Sequence, residues 1–301
     1  MVLKISAAGV NFPDHLVIHG EYQFAAEPPF TPGAEVAGWV ESVGPGVTHL
    51  KEGARVLYIG ISGGMAEKAC VKAAACVPLP DDIPLKAGAT LGMAYGTTLH
   101  ALQARGRLAQ GENLVVLGAA GGVGLAAVKI GKALGARVIA AASTQAKRDL
   151  CMASGADAVI DYTQEDLKAR IKGLTDGQGA DVVYDPVGGD FTEQALRATA
   201  WYGRYLIVGW AAGSIPKIPT NLLLLKGCEM VGVFWGSYAG RDPRGLIRDY
   251  LTLFQMYRDD AVVPHIGETY PLERAAEAIE AIGTRQVLGK VLIDVAPEAA
   301  Q

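Results

Sequence analysis

Seven consecutive residues, Gly118-Ala119-Ala120-Gly121-Gly122-Val123-Gly124, carry the strongest chemical signal in the chain. They follow an apolar, β-rich run, Asn113 to Gly118, and open a helical pattern, Gly122 to Leu134, that Gly135 stops. A second strand-like run, Arg137 to Ala142, comes next. In that setting glycine permits a tight turn and lets the backbone approach a pyrophosphate. The helix N-terminus offers that anion free N–H groups and the positive end of a dipole. In the G-x-G-x-x-G register the first glycine is Ala119, so the match is A-x-G-x-x-G. Ala120, Gly121, Gly122, Val123 and Gly124 are the expected contacts to a dinucleotide.

The end of the second strand bears on which dinucleotide. A carboxylate there binds a ribose 2′-hydroxyl and repels a 2′-phosphate. Here the strand ends in Ala140-Ala141-Ala142, followed by Ser143 and Thr144, with no acid. Lys147 and Arg148 lie one turn into the next helix. Ser143, Lys147 and Arg148 therefore favour NADPH over NADH.

Elements on either side must hold this site. The 301 residues suffice for two lobes. The first part of the chain is turn-rich, with short β runs at Glu35 to Val43 and Arg55 to Ile61, as in a small antiparallel or barrel-like β domain. Pro84 to Ala104 reads as helical. From Asn113 strands and helices alternate: helices Gly122 to Leu134 and Thr144 to Ser154; strands Ala158 to Tyr162, Asp181 to Asp185, Arg204 to Gly209 and Glu229 to Phe234. A helix is expected from Thr163, with Asp166 completing a capping box. This alternation predicts an α/β fold with a doubly wound parallel sheet. Arg241 to Tyr257 reads as one long helix, and the tail as one helix, Leu272 to Ile282, and one strand, Gly289 to Asp294.

The net charge of −4 comes from 27 basic and 31 acidic residues without a basic tract. That predicts no nucleic-acid partner, and the glycine-broken apolar runs predict no membrane span. Cys70, Cys76, Cys151 and Cys228 form no C-x-x-C pair and read as buried thiols in a reducing compartment. With no secretory signal at the N-terminus, a cytoplasmic protein is expected. The histidines, His15, His19, His49, His100 and His265, show no pair at metal-ligand spacing on a helix. His15 and His19 are four apart but lie in a turn-rich stretch beside Pro13.

Five ordered blocks resemble the zinc-independent quinone oxidoreductases, the zeta-crystallin-like family of medium-chain dehydrogenases/reductases. They are Ala7-Ala8-Gly9-Val10-Asn11-Phe12-Pro13-Asp14, Pro32 to Gly38 with Val43-Gly44, Gly118 to Gly124, Asp185-Pro186-Val187-Gly188-Gly189, and Gly289-Lys290-Val291. The resemblance covers nearly the whole chain. It implies a GroES-like β domain, residues 1–95 and 262–301, and a Rossmann-type NADP-binding domain, residues 96–261. It places a substrate cleft between the lobes. Family members usually begin with an extra pair of strands before the segment matching Val2 to Gly9, whereas this chain starts inside that region.

Zinc-dependent relatives carry cysteine at the position of Asn11 and histidine at that of Ala34, so the resemblance implies no metal. Without a Lewis acid the expected reaction is NADPH-dependent hydride delivery to a quinone or another α,β-unsaturated carbonyl. By resemblance Asn11 donates a hydrogen bond to the carbonyl, and Tyr22 positions substrate or donates a proton. Thr98 is expected at the nicotinamide side and Tyr162 at the adenosine. Val187, Gly209, Trp210, Phe234, Trp235, Gly236 and Lys290 are further expected cofactor contacts, with Trp210 and Trp235 as a flat apolar wall. In the family the sheet edge, here Glu229 to Phe234, pairs with its partner, so the resemblance implies a homodimer; an exposed apolar edge would otherwise invite aggregation. The competing readings are an enoyl-thioester or enone reductase and a non-catalytic NADPH-binding protein.

Overall fold

The computed structural model describes residues 1–23 and 26–296. The chain divides into two compact units, Met1–Ala94 together with the segment from Val263 onward, and Tyr95–Val262. The first unit begins with β1 (Val2–Val10), α1 (Phe12–Ile18), β2 (Glu35–Ser42), β3 (Arg55–Ile59), β4 (Lys68–Cys70), β5 (Cys76–Pro78) and α2 (Leu85–Thr90). The second contains α3 (Gly96–Leu99), β6 (Asn113–Leu117), α4 (Gly122–Ala133), β7 (Arg137–Ala141), α5 (Gln145–Ala153), β8 (Ala158–Ile160) and α6 (Leu167–Leu174). It continues with β9 (Ala180–Asp185), α7 (Phe191–Arg197), β10 (Thr199–Ile207), α8 (Asn221–Lys226), β11 (Glu229–Gly232), α9 (Trp235–Arg241) and α10 (Pro243–Arg258). The tail returns to the first unit as β12 (Ile266–Pro271), α11 (Ala275–Gly283) and β13 (Lys290–Asp294).

The first unit is built on a seven-stranded sheet in the order β12-β13-β1-β2-β3-β5, with β4 beside β1. Two registers matter for the site. Gly9 of β1 faces Glu35 of β2, and Val10 of β1 faces Val291 of β13. Residues near positions 10, 35 and 290 thus meet at one end of three paired strands. Leu3, Ile5, Ala8 and Val10 share a buried cluster with Val36, Val56, Val291 and Ile293. Ala278 and Ile279 of α11 close over it.

The second unit carries a six-stranded parallel sheet in the order β11-β10-β9-β6-β7-β8. The order reverses between β6 and β9, and open α/β sheets bind ligands outside the strand ends at such a point. Leu114, Val115, Val116, Val182 and Val183 are fully buried, as continuous apolar runs covered on both faces must be.

Several boundaries differ from the sequence reading. No helix starts at Thr163: the Asp161 carboxylate accepts from the N–H and hydroxyl of Thr163, and Glu165 accepts from the N–H of Asp161. That closed turn delays α6 to Leu167, with Asp166 as N-cap accepting from the N–H of Ala169. The long helix expected from Arg241 is α10 and starts at Pro243, because Asp242 caps it through the N–H of Gly245 and Pro243 takes its first position, while Arg241 ends the separate helix α9. β10 starts at Thr199, earlier than expected: it bulges before Arg204, and Tyr202 at φ 61 reads as a turn. β12 was missed because it is polar and mostly exposed. Cys76, Cys151 and Cys228 are buried free thiols, but Cys70 is exposed. No helix among the described residues is long and apolar enough to cross a membrane.

Candidate active site

In the second unit the crevice at the β6–β9 switch is made by missing side chains. Gly118 leaves β6 at φ 58, and a Cβ there would lie 2.7 Å from Cγ2 of Val187. A Cβ on Gly124 would lie 2.3 Å from the carbonyl oxygen of Gly118 and 2.8 Å from Cα of Ala119. Only glycine lets α4 approach the turn this closely. Gly121 is the N-cap of α4, with no side-chain cap. Its N–H donates to Gly118, and the N–H of Leu125 donates back to Gly121. Gly121, Gly122 and Val123 are partly exposed, whereas Ala120 and Gly124 are buried behind them. The first N–H groups of the helix, which have no intrahelical partner, are therefore presented at the accessible part of the turn.

The ends of β7 and β8 are wired together. Arg148 lies 2.7 Å from the carboxylate of Asp161 and donates 2.9 Å to Oε1 of Gln145. Both ionic side chains are largely buried. The expectation that Arg148 waits unpaired for a phosphate is corrected: it reaches one only by sharing its guanidinium. Ser143 and Lys147 are half-buried nearby, and the N–H of Lys147 is capped by Thr144. The ring of Tyr162 packs at 4.6 Å on that of Phe191.

The loop after β9 is organised by Asp185, a role its place at a strand end alone did not disclose. Its Oδ1 accepts from the N–H groups of Val187 and Gly188, and its Oδ2 from the hydroxyls of Thr192 and Tyr205. Burial, then the carboxylate, push the Tyr205 phenol well above its ordinary pKa, so it stays a donor. Gly209 follows β10, its N–H donating to the Asp185 carbonyl. A Cβ on Gly188 would lie 2.6 Å from Trp210, whose ring is 41 % exposed.

Phe234, Trp235 and Gly236 do not end a strand. β11 stops at Gly232, and Phe234 caps the short helix α9. Trp235 is 5 % exposed and packs against Gly96, so the expected wall of Trp210 and Trp235 does not form. Phe234, at 44 % exposure, is the second open aromatic face. Thr98 is fully buried, its hydroxyl 2.9 Å from that of Tyr184 and 3.3 Å from the carbonyl of Val123. It fastens α3 to the glycine turn and shows no surface to a ligand.

In the first unit Asn11, Glu35 and Lys290 form one buried cluster. Lys290 Nζ donates to Asn11 Oδ1 at 2.7 Å, Glu35 Oε2 at 2.9 Å and the Val10 carbonyl at 3.3 Å. Asn11 Nδ2 donates to Glu35 Oε2 at 2.8 Å and to the Gly9 carbonyl at 3.3 Å. Glu35 Oε1 accepts from the N–H of Met93. Glycines make the space: a Cβ on Gly9 would lie 2.6 Å, and one on Gly92 2.8 Å, from the Glu35 carboxylate. A buried ion pair this well hydrogen-bonded is costly to break from one side, since the surviving charge stays desolvated. Both amide hydrogens of Asn11 are taken, and the side chain is 8 % exposed. Its expected donation to a substrate carbonyl is therefore corrected to a bond that must first be exchanged. Lys290 is likewise committed, holding Asn11 rather than facing solvent.

Asp14, in the first turn of α1, completes the cluster. Its carboxylate accepts from the N–H groups of Asn11 and Ala34. Burial pushes its pKa up to about 6 against those bonds. Tyr22 lies on the segment after α1; burial first, then the Asp14 charge, push its phenol up, so it remains protonated at neutral pH. Glu35 and Asp14 were not singled out from sequence for these roles. The available signals were the Asn-x-x-Asp spacing of a capping pair and an acid lying on an apolar strand. His15 and His19 are also corrected: His15 lies in α1 and His19 is its C-cap, their rings 4.4 Å apart.

A six-stranded parallel sheet with a glycine turn at its switch point, joined in one chain to a mostly antiparallel β unit, defines a medium-chain dehydrogenase/reductase. Residues 1–81 match the alcohol dehydrogenase GroES-like domain, and residues 122–255 match the zinc-binding dehydrogenase family. A quinone oxidoreductase-like protein 2 homolog of Nematostella vectensis is 39 % identical over 295 residues, covering 97 % of this chain and 80 % of that protein. The structure of a Pseudomonas syringae quinone oxidoreductase superposes with a TM-score of 0.92 at 33 % identity, covering 98 % of this chain and 90 % of that one. That of Escherichia coli quinone oxidoreductase complexed with NADPH gives 0.90 at 29 % identity, over 98 % and 91 %. The chain belongs to the quinone oxidoreductase family of medium-chain dehydrogenases/reductases.

The donor set around Glu35 does not fit zinc. Its carboxylate already holds an ammonium, an amide and a backbone N–H, and Asn11 and Ala34 stand where the zinc-dependent pattern has its cysteine and histidine. The residues of the second unit do fit a dinucleotide, because Gly118 and Gly124, where a Cβ would strike Val187 and the Gly118 carbonyl, let α4 open close against the turn with Gly121, Gly122 and Val123 on its accessible side.

Proposed function

We propose that this chain reduces quinones, and other electrophilic α,β-unsaturated carbonyls, with NADPH and without zinc. The observation that carries the reading is the glycine cradle at the β6–β9 switch point, in a chain whose β7 ends without a carboxylate. The names of its relatives and the NADPH complex of one of them support it. NADPH, when bound, supplies the hydride. The backbone N–H groups opening α4 hold the pyrophosphate, and Ser143 and Lys147 take the 2′-phosphate, with Arg148 shared between it and Asp161. Tyr162 and Val187 flank the adenosine and the phosphates. Trp210 and Phe234 offer flat apolar faces suited to an aromatic acceptor.

Lys290 and Glu35 fix Asn11, which makes Asn11 a positioning residue in this reading. The protonated Tyr22 phenol is the proton donor to the reduced carbonyl oxygen. The chain pairs as a homodimer through the edge of β11 and the neighbouring exposed side chains Leu224, Leu225, Trp201 and Tyr202; sedimentation at micromolar concentration checks this.

The test is oxidation of NADPH and NADH, side by side, with quinones, enones and an enoyl-CoA. Faster turnover of NADPH on quinones or simple enones is expected. Turnover mainly on the enoyl-CoA would move the chain to thioester reduction. Tight NADPH binding with no turnover on any acceptor would make it a binding protein.

A further inference from the structure

We propose that His15, His19 and Glu280 form a surface site for one divalent transition-metal ion, Zn2+ being the type, that ties α1 to α11. One ligand atom from each lies within 4.8 Å of the others. This cluster is separate from Glu35 and its partners, and the quinone reductase reading does not use it.

Three features prepare the site. His19 Nδ1 lies 2.8 Å from the carbonyl oxygen of His15. A carbonyl only accepts, so Nδ1 carries a proton, and in the neutral ring Nε2 is the nitrogen with the lone pair. A ring N–H bonded to a backbone carbonyl is the arrangement that orients a metal-ligating histidine. That Nε2 stands 4.0 Å from Oε1 of Glu280. Second, His15 is held in place: α11 ends in Gly283, and a Cβ there would lie 2.4 Å from Cε1 of the His15 ring. The ring fills the space of that missing side chain, and its Nδ1 is buried without a hydrogen-bond partner among the described residues. Third, the donor set of two imidazoles and one carboxylate is one that zinc accepts with water in the fourth position.

Tetrahedral zinc at about 2.0–2.1 Å from each ligand sets them about 3.3 Å apart. His15 is fixed, but the side chains of His19 and Glu280 are 43 % and 59 % exposed and free to make the small adjustment. Binding would cross-link the C-terminal end of α1, whose N-cap is Asn11, to the helix that precedes β13 and Lys290.

Zinc titration into the tag-free full-length protein, followed by calorimetry, tests this. One Zn2+ per chain is expected, with Tm raised by about 5 °C at a hundredfold excess over Kd. His19→Ala and Glu280→Gln, both at exposed positions, each weaken binding tenfold or more. Cys70→Ser, which removes the exposed thiol, leaves it unchanged. On the unmodified protein, Co2+ gives visible d–d bands without a sulfur charge-transfer band. Absence of saturable binding, binding that survives both substitutions, or a Co2+ sulfur band would overturn the proposal.

Discussion

The two units make their candidate sites by opposite means. In the second, absent side chains at Gly118 and Gly124 bring backbone to backbone, and the buried Asp185 carboxylate is spent on holding the neighbouring loop, so the turn itself offers N–H groups and no cation. In the first, the space left by Gly9 and Gly92 is filled by charge, the Lys290 ammonium seated on Glu35 and Asn11. A cradle waits for a ligand to bring charge to it. A filled cluster has its cation already, as a side chain. The comparison explains why the glycine turn suits an anionic cofactor while the cluster around Glu35 already carries its cation.

The largest effect should come from unbalancing the filled cluster. Lys290→Met leaves the Glu35 carboxylate buried and unpaired and is expected to cost about 3–5 kcal/mol in urea unfolding. Adding Glu35→Gln should recover a large part of it. A double variant as unstable as the single would mean that the pair packs rather than pairs.

Next is Asp14. Its pKa rises from 3.8 unfolded to about 6 folded, so the folded state binds the extra proton. The stabilisation is full below about pH 4 and lost as pH rises through 6, on the order of 3 kcal/mol. Unfolding midpoints across pH 4–7 should show that fall, and Asp14→Asn should flatten it.

The open cradle predicts a loss of binding instead. Gly124→Ala drives a Cβ into the Gly118 carbonyl and is expected to weaken NADPH binding about a hundredfold in fluorescence titration, without changing the pH dependence assigned to Asp14. The smallest effect separates two neighbours. Lys147→Ala should reduce the NADPH-over-NADH preference about tenfold, and Arg148→Ala only a few-fold, because Arg148 is already paired with Asp161. Equal effects would show that the guanidinium leaves Asp161 when cofactor binds.

The glycine turn and the alternating strands and helices were legible because their causes are local. A strand that must be covered on both faces is apolar throughout, and a turn that must admit a phosphate has no Cβ. The partners of Asn11 were not legible. Lys290 is 279 residues away and reaches Asn11 only through the register of β13 on β1. The same limit hid Asp161 behind Arg148, the burial of Trp235 against Gly96, and Glu280 beside the two histidines.

By itself, then, the sequence determined the family, the parallel sheet, the dinucleotide turn and the absence of an acid after β7, since each is written in contiguous residues. Tertiary structure alone decided which polar groups are spent on one another. A hydrogen bond or ion pair is set by which strand ends and helix faces meet, and that follows from sheet order and packing, with no mark in the spacing of the residues that form it.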